Sequence, residues 1–406
     1  MNATQTEKKK SGFHSDIQIG APGLDIAGLR TLAENEPEAF MGKMQARIDA
    51  GTFRWKHVRN IGHLFNALVD IDVKASMPIM GQMRTITTGA FPLLSGGLTV
   101  AGINDAYGAE PTIGEQLVTE MEDSKKITVM AGVHALDAEK DRVDETEDFP
   151  LIGASEEKFT IAHKRNGRRI AITAEMIEEN DVAGIVARVD ALGRFAAKRI
   201  EKQTLRRVCD IDGSGSSPAE PYVLHIGGSG VAIYQTDKDP LNRLSSSGNR
   251  IVNNALVDST DLDNALTRLA SFTDEDGDRI GLENSELQLV VPFALLSTAA
   301  KIRGSELEPA IENEVNNWGP RGRWQPRIVS SSRLDDLSTT AWYLGNFGKQ
   351  FRRKWKLRLE YVSLQGTTEA FVHSRVAFQA RVAWDVEIGA IDYVYVVQNL
   401  PATTPP

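Results

Sequence analysis

The most regular feature of the chain is an alternation near its C-terminal end. Val376, Phe378, Ala380, Val382, Trp384, Val386 and Ile388 occupy every second position, with Arg375, Ala377, Gln379, Arg381, Ala383, Asp385 and Glu387 between them. A strict period of two predicts a β-strand with one face buried. Unbroken, it would run ~50 Å, against the ~17–20 Å of an ordinary strand. The clearest helix lies upstream. Val182, Ile185, Val189, Leu192, Ala196 and Ile200 form one stripe, and Asn180-Asp181 offers an N-cap. Lys198, Arg199, Lys202, Arg206 and Arg207 gather at its C-terminal end, where cations suit the helix dipole. Over residues 182–208 such a helix is ~40 Å long, when globular helices average ~11–12 residues. A helix and a strand of this length together predict a flat, elongated subunit.

The remaining pattern fills in around them. Leu24, Ile26 and Leu29, then Phe40, Met44 and Ile48, are spaced on helical faces, which predicts short helices over 24–70. Residues 75–115 are rich in Gly, Thr and Pro without a strong period and read as extended and irregular. Ile127, Val129 and Val133 mark one strand; Phe159, Ile161 and His163 mark another. The charged, Pro-containing stretch between them predicts a long hairpin or projecting loop, with Asn166-Gly167 bending or bulging the returning strand. A Gly/Ser/Pro-rich region over 210–258 holds a strand candidate at Tyr222–Ile226. Leu262, Leu266 and Leu269 mark a helix, and Leu287–Val291 a short strand. Pro292 opens another helix through Leu295, Leu296 and Ala299, and Trp355, Leu357, Leu359 and Tyr361 mark a strand.

Composition narrows the class. The chain has 406 residues, 41% hydrophobic and 25% charged, enough for two or three globular units with a buried core. The single cysteine, Cys209, excludes an intramolecular disulfide and a Cys-rich zinc module. No run approaches the ~18 apolar residues of a membrane helix. Lys8-Lys9-Lys10 has no apolar stretch behind it, so no secretory signal is present and folding in a reducing cytoplasm is expected.

The net charge of −9 changes the picture once it is located. Residues 101–160 hold 15 acidic and 5 basic residues, a net of −10, so the remainder of the chain is close to neutral. Asp137, Glu139, Asp141, Asp144, Glu145, Glu147 and Asp148 crowd together within it. Residues 161–210 carry 11 basic and 7 acidic residues, and 321–360 carry 10 basic and 3 acidic. The acidic run is either a solvated loop or an arm that needs an oppositely charged surface.

No catalytic constellation is legible. The seven histidines, His14, His57, His63, His134, His163, His225 and His373, are scattered, with no HExxH spacing, and no GxSxG elbow occurs. Cys209 has no histidine nearby in sequence and reads as a buried thiol. Gly227-Gly228-Ser229-Gly230 lacks both P-loop and dinucleotide spacing and reads as a surface loop. Asp274, Asp276 and Asp278 imitate an EF-hand start, but Arg279 and Ser285 stand where Gly and Glu are needed, so Asp276-Gly277 reads as a turn. Lys349, Arg352, Arg353, Lys354, Lys356 and Arg358, interleaved with Phe351 and Trp355, form the one nucleic-acid candidate. It could serve non-specific phosphate contact, meet the acidic arm, or lie on a solvated strand face.

In order, the chain shows a helical N-terminal arm, a strand-flanked charged loop, a long helix, a mixed segment and long closing strands. This order resembles the HK97-type major capsid protein of tailed bacteriophages, closest in look to the Mu-like head-subunit branch. The likeness is carried by Ser155 to Val182, SEEKFTIAHKRNGRRIAITAEMIEENDV, by Leu289-Val290-Val291-Pro292 before a helix, and by the strands over 355–397. It spans roughly residues 85–399. It implies an α+β subunit with an N-terminal arm over 1–115 and an E-loop region over 120–172. A peripheral domain would take 173–258 and 365–400 with a spine helix at 182–208, and an axial domain 259–364. The role implied is structural and cofactor-free. Subunits would self-assemble, as pentamers and hexamers in the host bacterial cytoplasm, into the icosahedral shell of the virion, with no membrane involved. Portal, scaffold or protease, and decoration proteins would be partners, with non-specific contact to packaged double-stranded DNA. The Lys–Asn cross-link of part of the family has no matching motif, and the short N-terminal region is expected to escape removal.

Within that architecture the acidic loop at Asp141, Asp144, Glu145 and Asp148 is expected to dock on an adjacent subunit. Its candidate counterparts are Arg165, Arg168 and Arg169, or Arg352, Arg353 and Lys354 in the 349–358 stretch. The alternatives are an encapsulin-like nanocompartment shell, a hydrolase or head-maturation protease, and a tail or baseplate protein.

Overall fold

The computed structural model of the protein describes residues 42, 46–51, 54, 90–125, 127–136, 153–162, 165–173, 175–176, 179, 181–210, 223–226, 229–236, 243–244, 248–273, 278–306, 316–365 and 376–402. The helices expected over 24–70 lie outside the described residues, apart from a helical stretch at 46–49 in which Ile48 is buried. The acidic cluster 137–148 also lies outside them. In chain order the described elements are α1 Ala90–Gly108, α2 Gly114–Leu117, β1 Thr119–Glu122, β2 Ile127–Leu136, β3 Gly153–Ala162, β4 Asn166–Thr173 and α3 Val182–Cys209. There follow β5 Val223–Ile226, β6 Ser229–Ala232, β7 Arg250–Val252, α4 Ser259–Ala270, β8 Gln288–Pro292 and α5 Phe293–Gly304. The chain closes with β9 Arg327–Ser331, α6 Ser332–Asp335, β10 Trp342–Gly345, α7 Phe347–Gln350, β11 Phe351–Gln365, β12 Val376–Ala390 and β13 Val396–Leu400. The class is α+β.

These elements form two compact units. One takes Met1–Pro111, Arg165–Arg199 and Arg358–Trp384; the other takes Thr112–Lys164, Ile200–Leu357 and Asp385–Pro406. In the first, α3 begins as its sequence predicts: Asp181 Oδ1 accepts the Gly184 N–H at 2.8 Å, satisfying an otherwise orphaned donor. Ile185, Val189, Leu192 and Ala196 are buried along the expected stripe. Helix α1 is a correction, because periodicity predicted an irregular course there. Its buried residues, Leu98, Thr99, Ala101, Ile103 and Ala106, wrap around much of its circumference. A helix covered this widely has no amphipathic period to reveal. It crosses α3 at Gly193, where an added Cβ would strike the Ile103 carbonyl and lie 2.8 Å from Ala106 Cβ.

Strand β4 pairs antiparallel with β12, from Thr173 opposite Val376 to Asn166 opposite Trp384. Asn166-Gly167 therefore opens a separate strand and does not bend the returning one. Gly167 is needed for that pairing, since a Cβ there would lie 2.8 Å from the Val382 carbonyl oxygen.

In the second unit, β2 and β3 pair antiparallel through ten positions, from Ile127 opposite Ala162 to Leu136 opposite Gly153. They form a two-stranded sheet of their own. A five-stranded sheet runs in the order β7-β13-β10-β8-β9. Residues 250–252 and 396–400 thus share a sheet with β8, β9 and β10. Both faces of this sheet are covered. Leu289, Val291, Trp342 and Leu344 pack with Leu262, Ala265, Ala299 and Ile302. Val290 and Tyr343 pack on the other face with Leu205, Val208 and Cys209. Such strands read as continuous apolar runs instead of alternating ones.

The expectation of one buried face for β12 is also corrected. Alternation is seen at Arg381, exposed between buried Ala380 and Val382, but on Arg381's own face Ala383, Asp385 and Gly389 are buried as well, along with Val386 and Ile388 on the other. Among the described side chains of the strand, Arg381 alone is exposed.

Candidate interaction surfaces

The basic residues after the hairpin are where a partner can reach them. Arg165, Arg168 and Arg169 are exposed. Arg168 and Arg169 nevertheless differ, because neighbours in a strand point to opposite faces. Arg168 lies over the Phe195 ring of α3, its Cζ 4.6 Å from the centroid, and Trp384 meets the same ring edge-on at 6.2 Å. Arg169 stands on the other face, directly opposite Arg381.

The stretch 349–358 is a different matter. Strand β1 runs parallel to the start of β11, with Glu120 opposite Arg353 and Met121 opposite Lys354. The Arg353 side chain is 2% exposed, hydrogen-bonds Glu120 and lies 3.4 Å from Glu115. The Lys354 side chain is fully buried, 3.0 Å from Asp123, and donates to the Lys125 carbonyl at 3.2 Å. Arg352 turns Nη1 onto the Gly348 and Phe351 carbonyls, and partial burial lowers its pKa. Lys349 pairs with Glu286 at 2.6 Å, and that hydrogen bond raises its pKa. Arg353 and Lys354 are therefore corrected: acidic residues of their own unit have already claimed them, and burial closes them to a second subunit. The composition of the stretch suggested a basic surface because Glu115, Glu120 and Asp123 stand far away in sequence.

Sequence reasoning also missed a buried carboxylate and a buried ion pair. Glu201 is 1% exposed; its Oε1 accepts the Ile113 N–H at 2.9 Å, and its Oε2 accepts the Gly114 N–H at 3.0 Å. Its signal was positional, since Ala197, Glu201, Thr204 and Val208 continue a buried stripe at helical spacing. Arg243 and Asp392 pair at 3.0 Å with both side chains buried, under the Tyr393 ring.

The other candidates resolve as structural features. Burial pushes the Cys209 thiol up to about 12, against the opposing pull of the Tyr343 hydroxyl. A small apolar cavity beside it is lined by Val290, Val291, Leu334 and Ala341. Ile226 pairs with Ser229, so the described ends of the Gly-rich loop close a β5–β6 hairpin; Gly227 and Gly228 themselves lie outside the described residues. Thr273 bridges Arg279 around the aspartate stretch, of which Asp274 and Asp276 lie outside the described residues. Among the described residues no group of three His, Cys, Asp or Glu side chains is placed to hold a metal ion, and no helix is long and apolar enough to cross a membrane.

Residues 156–402, more than half of the sequence, match the family described as phage capsid protein. The chain belongs to this family. Its role is that of a capsid subunit, which self-assembles into a shell and resides in the virion. No curated protein matches the sequence. Among solved structures, the chain is similar to the capsid of Cyanophage P-SCSP1u at 14% identity and TM-score 0.45, over 73% of this chain and 89% of that one. Mycobacterium phage Patience matches at 13% identity and TM-score 0.44, over 81% and 94%. A virus-like particle from Pyrococcus furiosus matches at 7% identity and TM-score 0.42, over 74% and 97%.

Proposed function

We propose that this capsid protein has the HK97-type design and assembles through pentamers and hexamers into the icosahedral head of a tailed phage, around double-stranded DNA. The observation that carries the proposal is the β2–β3 hairpin within a chain of the capsid family. A two-stranded ribbon is marginal by itself in water, so one of this length calls for a further surface to lie on. Its acidic residues Asp141, Asp144, Glu145 and Asp148 dock on the exposed arginines of an adjacent subunit, Arg165, Arg168 and Arg169. Each exposed pair is worth only ~0–1 kcal/mol, but the contact recurs at every subunit, and charge complementarity also fixes register. Portal, scaffold or protease, and decoration proteins complete the head, which is built in the host bacterial cytoplasm.

Negative-stain microscopy of the expressed protein, alone and with its neighbouring gene products, tests the design: closed shells are expected, and tubes or rings would refute it. Asp144→Lys with Glu145→Lys should weaken assembly. Normal, salt-indifferent particles from that variant would sink the docking reading.

A further inference from the structure

We infer that Arg169 and Arg381 together form a seat for the carboxylates of residues 137–148 of a second copy of this chain. The inference rests on the docking reading above and replaces its run of three arginines with a specific pair. Antiparallel register sets Arg169 directly opposite Arg381. Side chains so placed share a face with Cβ atoms ~4.5–5.5 Å apart, and like charges in that relation repel. The face points away from α3, because Arg168 and Val382, the next pair along, lie on the side that carries Phe195. Both guanidiniums are exposed. Arg381 has Glu360 at 3.8 Å, itself 40% exposed, and among the described residues no carboxylate pairs with Arg169.

Two facing arginines carry ten N–H donors, and the one carboxylate near them, Glu360 on β11, is held loosely on the far side of Arg381 from Arg169. An isolated subunit gains nothing from that juxtaposition; an incoming pair of carboxylates turns the repulsion into attraction. The segment 137–148 supplies seven acidic residues against Lys140 and Arg142. Stoichiometry favours it over nucleic acid: each subunit carries one seat and one acidic segment, so a head-to-tail ring satisfies every copy.

The test compares R169E/R381E, R169Q/R381Q and D144K/E145K in the full chain, with assembly read by sedimentation and microscopy and subunit stability by thermal unfolding. R169E/R381E is expected to raise the concentration needed for shells by about tenfold or more. Combining it with D144K/E145K should restore assembly. R169Q/R381Q should leave the free subunit as stable as wild type or more so, because repulsion is relieved, and still assemble less well. If D144K/E145K fails to assemble while R169E/R381E assembles normally, the seat is wrong and the docking reading stands. Normal assembly of D144K/E145K overturns both. Shells of R169E/R381E that form normally but lose DNA overturn the seat in favour of nucleic acid.

Discussion

Removing the Glu201 carboxylate should destabilise the subunit more than any surface change nearby. The side chain is 1% exposed and receives the Ile113 and Gly114 N–H groups, at 2.9 and 3.0 Å, on separate oxygens. A hydrogen bond to a charged group contributes about 1.5–3 kcal/mol, so losing both costs about 3–6 kcal/mol in Glu201→Ala. Glu201→Gln keeps one acceptor and turns an amide N–H₂ towards the second donor, which places it roughly midway. The acceptor cannot be supplied from elsewhere on the turn. Gly114 leaves no room, since a Cβ there would lie 2.6 Å from Glu201 Oε2 and 3.0 Å from Thr204 Cγ2. Urea unfolding of unassembled subunits, with the slope m compared across variants, gives the cost directly. A loss below about 1 kcal/mol for Glu201→Ala at unchanged m would show that the carboxylate is not holding those two donors.

The buried Lys354–Asp123 pair should be asymmetric: Asp123→Ala strands an ammonium and costs about 3 kcal/mol, while Asp123→Ala with Lys354→Met is far milder, as a double-mutant cycle would report. Gly193→Val should cost about 1–3 kcal/mol or more by forcing α1 off α3, and a normal melting temperature would contradict the close crossing. Cys209 should resist thiol reagents at pH 8 until the chain unfolds; prompt labelling of folded subunits would refute its burial. Because its folded pKa is raised to about 12, the unfolded thiol ionises first as pH rises. The associated stability is complete below ~8.5, the unfolded value, and is lost progressively towards the folded one, so unfolding midpoints should fall across that window.

What was legible in the sequence was whatever depends on local period and capping. Asp181 and the stripe from Ile185 to Ile200 mark α3 in the sequence, because an apolar stripe recurs every three or four positions and the first donor is capped within three residues. The paired strands around the acidic loop, the strand before Pro292 and the helix after it were legible for the same reason, as was the order that resembles a phage capsid subunit. Helix α1 was hidden because cover on many sides erases the period, and the cover over Ala383 and Asp385 of β12 because the sequence alternates there whether or not the second face is buried. The candidate surface was legible as charge but not as geometry. Arg353 and Lys354 look like Arg165 and Arg169 in composition, yet parallel pairing brings Glu120 and Asp123 from more than two hundred residues away to bury them. Arg381 passed as one polar position in a strand until register set it against Arg169. Which charges remain for a neighbour is decided by long-range pairing, and pairing partners are not encoded in the period of either strand.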